Sequence, residues 1–269
     1  MKNKFLLSGI LTVILFVFFQ NGYSKSPYTG ATNINLALGN PSNAVADTTM
    51  YENYLMEKPQ YVLSYNNTKH IPNWVSWHVC LADLGTAKRV DCFRPDPALP
   101  KSWYHVSPKD YAGTGFDKGH QCPCGDRTST ALNDSATFFM SNMIPQAPNN
   151  NRITWEKLEA YSRTLVAQGN ELYIICGVSG QGGTGSKSQA SSIGKSVVVP
   201  AQTWKIIVVL PAKIQTVTDS TRVIAVLMPN TQSCSGKPWY NYRVSVDTLE
   251  QLTGYNFLSN VPPGIQKVI

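Results

Sequence analysis

Four residues between positions 120 and 159 could together hydrolyse a polar bond. One histidine, two asparagines and one glutamate occur in the order His120, Asn142, Asn151 and Glu159. A histidine with its ordinary pKa of about 6.5 supplies neutral imidazole near neutral pH, which can take a proton from water. Hard divalent cations such as Mg²⁺ take oxygen ligands and keep several waters when the protein offers few. The set therefore predicts a hydrolase in which a general base works beside a metal ion that uses few carboxylates.

A long helix is predicted to position two of these residues. The pattern predicts a helix from Asn151 to Gln168, ended by a glycine at the C′ position. Asn149 and Asn150 precede this helix, and either of them can cap its start. At about 100° per residue, Asn151 and Glu159 lie on one ridge of the helix. Their polar groups are therefore expected in the same neighbourhood.

Strands are predicted on both sides of this helix. Runs rich in β-branched and aromatic residues, bounded by Asn, Pro and Gly, lie at 61–65, 74–79, 172–178, 197–199, 204–210 and 223–228. A second helix is predicted over 246–252, ending at Gly254. Strands, one long central helix and then further strands indicate an α+β fold.

The N-terminus has the pattern of an export signal. Lys2 and Lys4 precede an apolar run over residues 5–19, and small residues at Gly22 and Ser24 suit a cleavage site. That run is shorter than the roughly 20 residues that a membrane span needs. We therefore predict a signal peptide at 1–24, with an uncleaved anchor as the alternative. The protein is expected to be secreted or periplasmic, with no stable membrane association after cleavage.

Composition sets broad limits on the mature chain. Residues 25–59 are polar and small and are predicted to form a flexible lead, which leaves one domain over 60–269. Removal of Lys2 and Lys4 with the signal leaves 21 basic and 16 acidic residues, a net charge of +5. This balance favours polyanionic partners such as nucleic acids, although many basic proteins bind none. A hydrophobic content of 42% excludes a disordered chain.

The ordered set His120, Asn142, Asn151 and Glu159 resembles the signature of the DNA/RNA non-specific endonucleases of the ββα-metal superfamily. That signature is Asp-Arg-Gly-His followed by Asn, Asn and Glu. The resemblance covers residues 60–260 and includes four further segments, at 73–77, 93–96, 172–174 and 252–255. It implies the ββα-metal (His-Me finger) fold, a central antiparallel sheet flanked by helices. It also implies Mg²⁺- or Mn²⁺-dependent hydrolysis of DNA and RNA to products with 5′-phosphates.

The resemblance also implies a role for each matching residue. His120 is expected to be the general base and Asn151 the single protein ligand of the metal ion. Glu159 would hold water around the ion, and Asn142 would support the site from behind. Arg89 matches the family arginine that stabilises charge on the phosphate, a role suited to its two parallel hydrogen bonds.

Three positions leave alternatives open. Lys118 stands where the signature has arginine. The lysine keeps the positive charge for substrate binding but cannot donate the two parallel hydrogen bonds of a guanidinium group. Arg94 lies close to Arg89 in sequence and could take its role. On spacing alone, the adjacent Asn149 or Asn150 could be the metal ligand in place of Asn151. The family spacing favours Asn151.

The cysteines and one glycine-rich loop suggest other chemistry. Cys80 and Cys92 flank a turn-like stretch and could bridge a hairpin, since an exported chain permits disulfides. Cys122 and Cys124 adjoin the catalytic histidine candidate, which raises a zinc or thiol-redox protein as an alternative, although the spacing fits neither motif. Residues 180–187 resemble a phosphate loop, but the order Gly-Ser-Lys differs from the required Gly-Lys-Ser/Thr and favours a flexible loop.

The main alternative function is a catalytically weak nucleic-acid-binding protein that retains the nuclease fold. Lys118 favours this alternative, and the complete set His120, Asn151 and Glu159 opposes it. DNA and RNA are the expected partners in either case. The sequence leaves open whether the chain forms a homodimer or binds a protein inhibitor.

Overall fold

The structure is a computed structural model that describes residues 33–214 and 216–269. The predicted signal peptide and the first part of the predicted lead lie outside these described residues. Within the described ranges, no helix is both long and apolar enough to cross a membrane.

Thirteen strands occur among the described residues. In chain order they are β1 (Tyr54–Glu57), β2 (Val62–Asn66), β3 (Ile71–Val79), β4 (Asp117–His120), β5 (Met143–Gln146), β6 (Asn170–Ser179), β7 (Gly183–Thr184), β8 (Gln189–Ala190), β9 (Ser192–Ile193), β10 (Val197–Val198), β11 (Gln202–Pro211), β12 (Arg222–Pro229) and β13 (Arg243–Val244).

Seven of these strands form one antiparallel sheet in the order β1-β2-β3-β6-β11-β12-β13. Successive side chains of a strand point to opposite faces, so each central strand contributes to two cores. On β11, Lys205 and Ile207 face one core, whereas Trp204 and Ile206 face the other. The sheet is therefore buried on both sides, which explains the nearly continuous apolar runs of its central strands.

Four α-helices and several shorter turns accompany the sheet. The α-helices in the described residues are α1 (Ala131–Ala136), α2 (Glu156–Ala167), α3 (Val246–Thr253) and α4 (Pro263–Gln266). A π-helical turn, Asn150–Trp155, leads directly into α2. The 3₁₀ helices are Ile34–Leu36, Leu81–Asp83, Pro108–Tyr111, Cys124–Asp126, Met140–Asn142, Gln232–Gly236 and Trp239–Tyr242.

A separate hairpin and α2 form the unit that carries the candidate site residues. β4 pairs with β5 in antiparallel register, with His120 opposite Met143. The chain then enters α2, which packs against β6 through buried Leu158, Leu165 and Val166. Full burial of a leucine side chain stabilises a fold by about 1.5–3 kcal/mol, so these contacts hold α2 firmly on the sheet. The arrangement is two strands followed by a helix, as predicted.

The α+β class and the central antiparallel sheet are confirmed, while the long helix differs from its prediction at its start. Residues 150–155 form a π-helical turn, so the assumed 100° per residue does not apply there. Asn149 stands at the N-cap position, but its side chain makes no capping hydrogen bond. The helix does end as expected, because Gly169 adopts a positive φ of 90° after the last turn.

The described part of the predicted flexible lead is packed into the domain. β1 forms one edge of the main sheet by pairing with β2. Ala37, Leu38 and Ala44 are buried in the same core as the central strands. Their small or isolated apolar side chains give no periodic pattern in sequence, so their burial is decided by the sheet surface beneath them. Residues 33–59 therefore belong to the domain that had been predicted to begin at residue 60.

The hairpin predicted between Cys80 and Cys92 is wrong, and all six cysteines are free thiols. Gly85 and Ala87 donate backbone hydrogen bonds to Thr128, so this stretch pairs with a distant loop instead of folding on itself. The loop at 180–187 contains the short strand β7 and is less irregular than predicted.

Candidate active site

An open cleft lies between β4, the turn Cys124–Asp126 and the start of α2. Its cavity has a volume of about 410 Å³. Eleven residues line it: Arg89, Lys118, His120, Pro123, Cys124, Gly125, Asn151, Arg152, Glu156, Glu159 and Arg163. The cleft thus brings together five of the six predicted site residues, and four cations outnumber two carboxylates on its wall. This charge balance suits a polyanionic ligand.

The alternation of β4 places two predicted residues on the cleft side. His120 and Lys118 are two positions apart and both line the cleft. Gly119 points the other way, where a Cβ atom would lie 2.1 Å from Oε1 of Gln146 on β5. Glycine is therefore required between them because the two strands and the Gln146 side chain approach so closely.

His120 is held as a neutral imidazole. Its ring packs against Phe93 and Phe138, at centroid distances of 5.4 and 4.9 Å. Burial, followed by the charges of Arg89 and Lys118, lowers the pKa of His120 to about 3. Its Nε2 atom is enclosed and has no hydrogen-bond partner among the described residues. A neutral ring with an unused nitrogen is able to accept a proton.

Asn142 lies behind the cleft and fixes the chain that follows His120. Its Oδ1 accepts a hydrogen bond from the Cys122 backbone N–H at 3.0 Å. Its Nδ2 donates to the backbone oxygens of Cys122 and Thr137, at 2.9 and 2.8 Å. The amide is fully buried, and these three bonds occupy both of its ends. Asn142 therefore supports the loop instead of contacting a ligand.

The structure separates the three consecutive asparagines. Asn150 is fully buried, and its side chain contacts Gln146, Thr203 and Pro229. Asn149 donates to the Gln232 backbone oxygen at 2.9 Å. Among the three, Asn151 lines the cleft.

Asp117 orients the Asn151 amide. Nδ2 of Asn151 donates to Oδ2 of Asp117 at 2.9 Å, which leaves the amide oxygen, Oδ1, as the atom that can bind a cation. Arg152 contacts the same carboxylate through Nε and Nη2, at 2.7 and 2.5 Å. Asp117 is thereby held in place from two sides.

Glu159 reaches the same cleft from the first turn of α2. One of its oxygens, Oε1, lies 3.4 Å from Nζ of Lys205. Burial raises the pKa of Glu159 to about 7, although Lys205 and Arg163 oppose that rise. The carboxyl group is therefore poised to gain or lose its proton near neutral pH.

The two candidate arginines have different surroundings. Arg89 lies in the cleft, where Nη1 donates to the Cys124 thiol at 2.9 Å and Nε to Asp91. Arg94 donates to backbone and side-chain atoms of Cys92 and Ser135 and does not line the cleft. The geometry therefore favours Arg89 as the arginine available to a phosphate.

Three charged cleft residues were not predicted from the sequence: Arg152, Glu156 and Arg163. Arg163 donates to Asp126 at 3.2 Å and lies one helical turn beyond Glu159. Its spacing of four residues from Glu159 was a usable signal, because such residues share a helix face. Arg152 lies within the π-helical turn, whose geometry the sequence pattern did not reveal.

The thiols do not form a metal site beside His120. One His/Cys/Asp/Glu cluster with metal-like spacing occurs in the described residues, at His78, Cys80 and Asp83, away from the cleft. Its polar groups already have partners, because His78 pairs with Glu171 and Asp83 lies near Arg127. Burial raises the pKa of Cys124, so that thiol is not activated. These contacts disfavour the zinc and thiol-redox alternatives.

A histidine on a pair of antiparallel strands, followed by a helix that presents an amide and a carboxylate, is the arrangement of the ββα-metal fold. A solved structure of the EndoG/EndoGI complex matches this arrangement with a TM-score of 0.71. The match covers 85% of this chain and 91% of that chain at 23% sequence identity, and it supports the fold alone.

Sequence comparisons identify the family. The family model for DNA/RNA non-specific endonuclease matches residues 38–264. A nuclease of Nostoc sp. is 50% identical over 240 residues, which cover 88% of this chain and 85% of that protein. The mitochondrial nuclease EXOG of Danio rerio is 33% identical over 214 residues, 77% of this chain and 60% of that longer protein. The chain belongs to the DNA/RNA non-specific endonuclease family.

Lys118 is open to a direct test. We expect Lys118→Ala to raise KM about tenfold, because a charge-assisted phosphate contact of about 1.5–3 kcal/mol is lost. Lys118→Arg should keep KM at or below the wild-type value, because a guanidinium group can donate two parallel hydrogen bonds to one phosphate. Steady-state cleavage of a short duplex at two salt concentrations measures both. Lys267→Ala, an exposed lysine outside the cleft, is the control; an unchanged KM in Lys118→Ala would remove Lys118 from the substrate site.

Proposed function

We propose that this protein is an exported endonuclease that hydrolyses phosphodiester bonds of DNA and RNA with a Mg²⁺ or Mn²⁺ ion. The single observation that carries the proposal is the convergence of His120, Asn151 and Glu159 in one cationic cleft. Family membership supports nuclease activity on nucleic acids. Metal use, export and the individual residue roles are the parts that we propose.

The residues present fit a hard divalent cation. Asp117 holds the nitrogen of the Asn151 amide, so its oxygen is the donor left for an ion. Glu159 adds a carboxylate to the same polar, open cavity. Oxygen donors from one amide and one nearby carboxylate match a cation that retains most of its water. A bound ion would supply charge neutralisation at the phosphate and at the departing oxygen.

The protein's own groups carry the proton and charge steps. His120 takes a proton from the attacking water, whose oxygen forms a bond to phosphorus while the bond to the leaving oxygen breaks. Arg89 and Lys118 hold the non-bridging phosphate oxygens and offset the charge that develops there. A bound phosphate anion also offsets the effect of these two cations on His120, whose pKa they lower in the free protein. Substrate binding therefore offsets the part of the lowered pKa that these two cations cause, whereas burial, its larger cause, remains.

The charge pattern of the cleft favours recognition of the nucleic-acid backbone. Arg89, Lys118, Arg152 and Arg163 can all contact phosphate, a group that DNA and RNA share. Phosphate contacts position a nucleic acid but carry no sequence information directly. We therefore expect cleavage with little base preference. The EndoG/EndoGI complex shows that a nuclease of this fold can be inhibited by a protein, and we leave such a partner for this chain open.

Export rests on the N-terminal pattern of Lys2, Lys4 and the apolar run at 5–19. N-terminal sequencing of the protein recovered outside the cytoplasm tests this part. A mature chain that begins at Lys25 supports cleavage after Ser24. A chain that retains residues 1–24 supports the anchor instead.

The pH dependence separates the roles of Glu159 and His120. The pKa of Glu159 is about 7 and that of His120 about 3, so His120 remains neutral throughout the range in which Glu159 titrates. If the ionised carboxylate is required, kcat/KM at low metal concentration should fall as the pH falls through about 7. Saturating metal should shift this fall in kcat/KM to lower pH, because a nearby cation stabilises the ionised carboxylate. If the same fall in kcat/KM persists in Glu159→Gln, a group other than Glu159 causes it.

Cleavage of plasmid DNA and of RNA by the mature protein, with Mg²⁺, with Mn²⁺ and with EDTA, tests the proposed function. Metal-dependent cutting of both substrates supports it. Salt-sensitive binding without turnover under either metal would support the alternative, a binding protein that retains the fold. Cutting that persists in EDTA after exhaustive chelation would contradict the proposed use of a metal.

A further inference from the structure

A lysine is buried in the centre of the main sheet directly beneath the proposed site. Lys205 lies on β11, between β6 and β12, and is 1% exposed. Its ammonium group lies 4.2 Å from the centre of the Trp155 ring and 5.5 Å from that of Trp77. Lysine is almost never fully buried unless it is paired. The location therefore requires a partner for the charge.

That partner is Glu159. Among the described residues, Glu159 is the carboxylate within salt-bridge distance of Lys205, at 3.4 Å. The two side chains approach from different elements, α2 and β11, and meet between the sheet and the cleft. Lys205 itself does not line the cleft, so its ammonium group acts on the site through Glu159.

Other charged and titratable groups face Glu159 less directly. Arg163 on α2 is bound to Asp126 at 3.2 Å and lies 3.9 Å from Glu156, so its charge is shared. Asp126, in the adjacent turn, raises the pKa of Glu159, whereas Lys205 and Arg163 lower it. The thiols of Cys124 and Cys176 also face this carboxyl group and remain protonated, because burial raises the pKa of each.

We infer that Lys205 is a positioning residue that holds the Glu159 carboxylate in place and turned toward the cleft. The inference rests on the proposed function, because it assigns work to Glu159 in that reaction. A methionine could fill the space between the two tryptophans, and apolar replacements of buried ion pairs are often neutral or stabilising. The buried charge is therefore poorly explained by packing. It is explained by a carboxylate that must be held at one position between the sheet and the cleft.

The test is a double-mutant cycle with Lys205→Met, Glu159→Gln and the combined variant. Lys205→Met should lose about fivefold in kcat near pH 7, because a one-unit rise from a pKa of about 7 lowers the ionised fraction of Glu159 from about one half to about one tenth. The pH at which kcat falls on the acid side should be higher in this variant, with little change in KM for the nucleic acid. The combined variant should be no less active than Glu159→Gln alone, because Lys205 then has no carboxylate to hold.

A second lysine provides a matched control. Lys58 is also enclosed, pairs with Asp96 at 2.9 Å and lies 4.4 Å from the Phe139 ring centre. Lys58→Met should change the melting temperature without moving the pH profile. If Lys205→Met keeps the wild-type pH profile and kcat, Lys205 serves only stability and the inference is overturned.

The combined variant keeps the test decisive if Lys205→Met fails to fold. It removes both buried charges together and should fold where the single variant does not, because no unpaired charge is left. Equal activity of the combined variant and Glu159→Gln supports the inference, and a further tenfold loss overturns it. Absence of metal-dependent cleavage by the wild-type protein would instead contradict the proposed function, so the two failures are distinguishable.

Discussion

Replacement of His120 by alanine is expected to abolish nearly all cleavage while leaving the fold intact. General-base catalysis contributes about 10²–10⁴-fold, and the imidazole is the group placed to take the proton of the attacking water. The ring packs against Phe93 and Phe138 and makes no hydrogen bond through Nε2, so its removal breaks few stabilising contacts. Initial rates on plasmid DNA and on RNA, with melting temperatures of both proteins, measure the effect.

His105→Ala is the matched control for this loss. His105 is also partly buried, and its Nε2 lies 3.1 Å from the Pro100 backbone oxygen, outside the cleft. Its replacement should leave the rate within about twofold, as expected for a residue outside the site. Added imidazole should restore part of the activity of His120→Ala, because the vacated space opens to the cleft. An unchanged rate in His120→Ala would sink the proposed mechanism.

The adjacent asparagines 150 and 151 are expected to respond in opposite ways. Asn151→Ala should lose at least about 100-fold in activity, above the 10–100-fold typical of residues that only support a metal ligand. Its stability should change little, because its side chain makes a single hydrogen bond, to Asp117. Isothermal titration with Mn²⁺ should show weakened binding as well, which measures the metal site independently of turnover.

Asn150→Ala is expected to lower stability by about 1–3 kcal/mol, because buried partners of its amide are left unsatisfied. Those partners are Gln146, Thr203 and Pro229. The folded fraction should retain its Mn²⁺ affinity. If Asn150→Ala lost metal binding and Asn151→Ala kept it, the metal ligand would be misassigned by one residue.

Local sequence patterns were sufficient for the end of the long helix, whereas no strand was predicted at the positions of β4 and β5. Alternation on β4 puts Lys118 and His120 on one face whatever surrounds the strand, because the side-chain period of a strand is two. Gly169 ends α2 because a left-handed backbone is least strained at glycine. The helix end depends on neighbouring residues in the chain, so it is visible in the sequence.

Features that depend on distant contacts were not predictable in this way. The stretch between Cys80 and Cys92 pairs with residues near Thr128, so a locally plausible hairpin does not form. The polar lead is packed from residue 33 onward because the sheet offers an apolar surface to its few hydrophobic side chains. The π-helical turn arises within a buried setting that fixes Asn150 against β11 and β12.

The sequence by itself determined the types and order of the reactive groups: His120, Asn151 and Glu159 at spacings that match one family. Only the tertiary structure decided which asparagine and which arginine face the cleft, and which charges surround Glu159. Lys205 is 46 residues from Glu159 in sequence, yet their charged groups lie 3.4 Å apart. Such a pairing follows from the packing of α2 on the main sheet, and electrostatic effects on a pKa depend on distance in space and not along the chain.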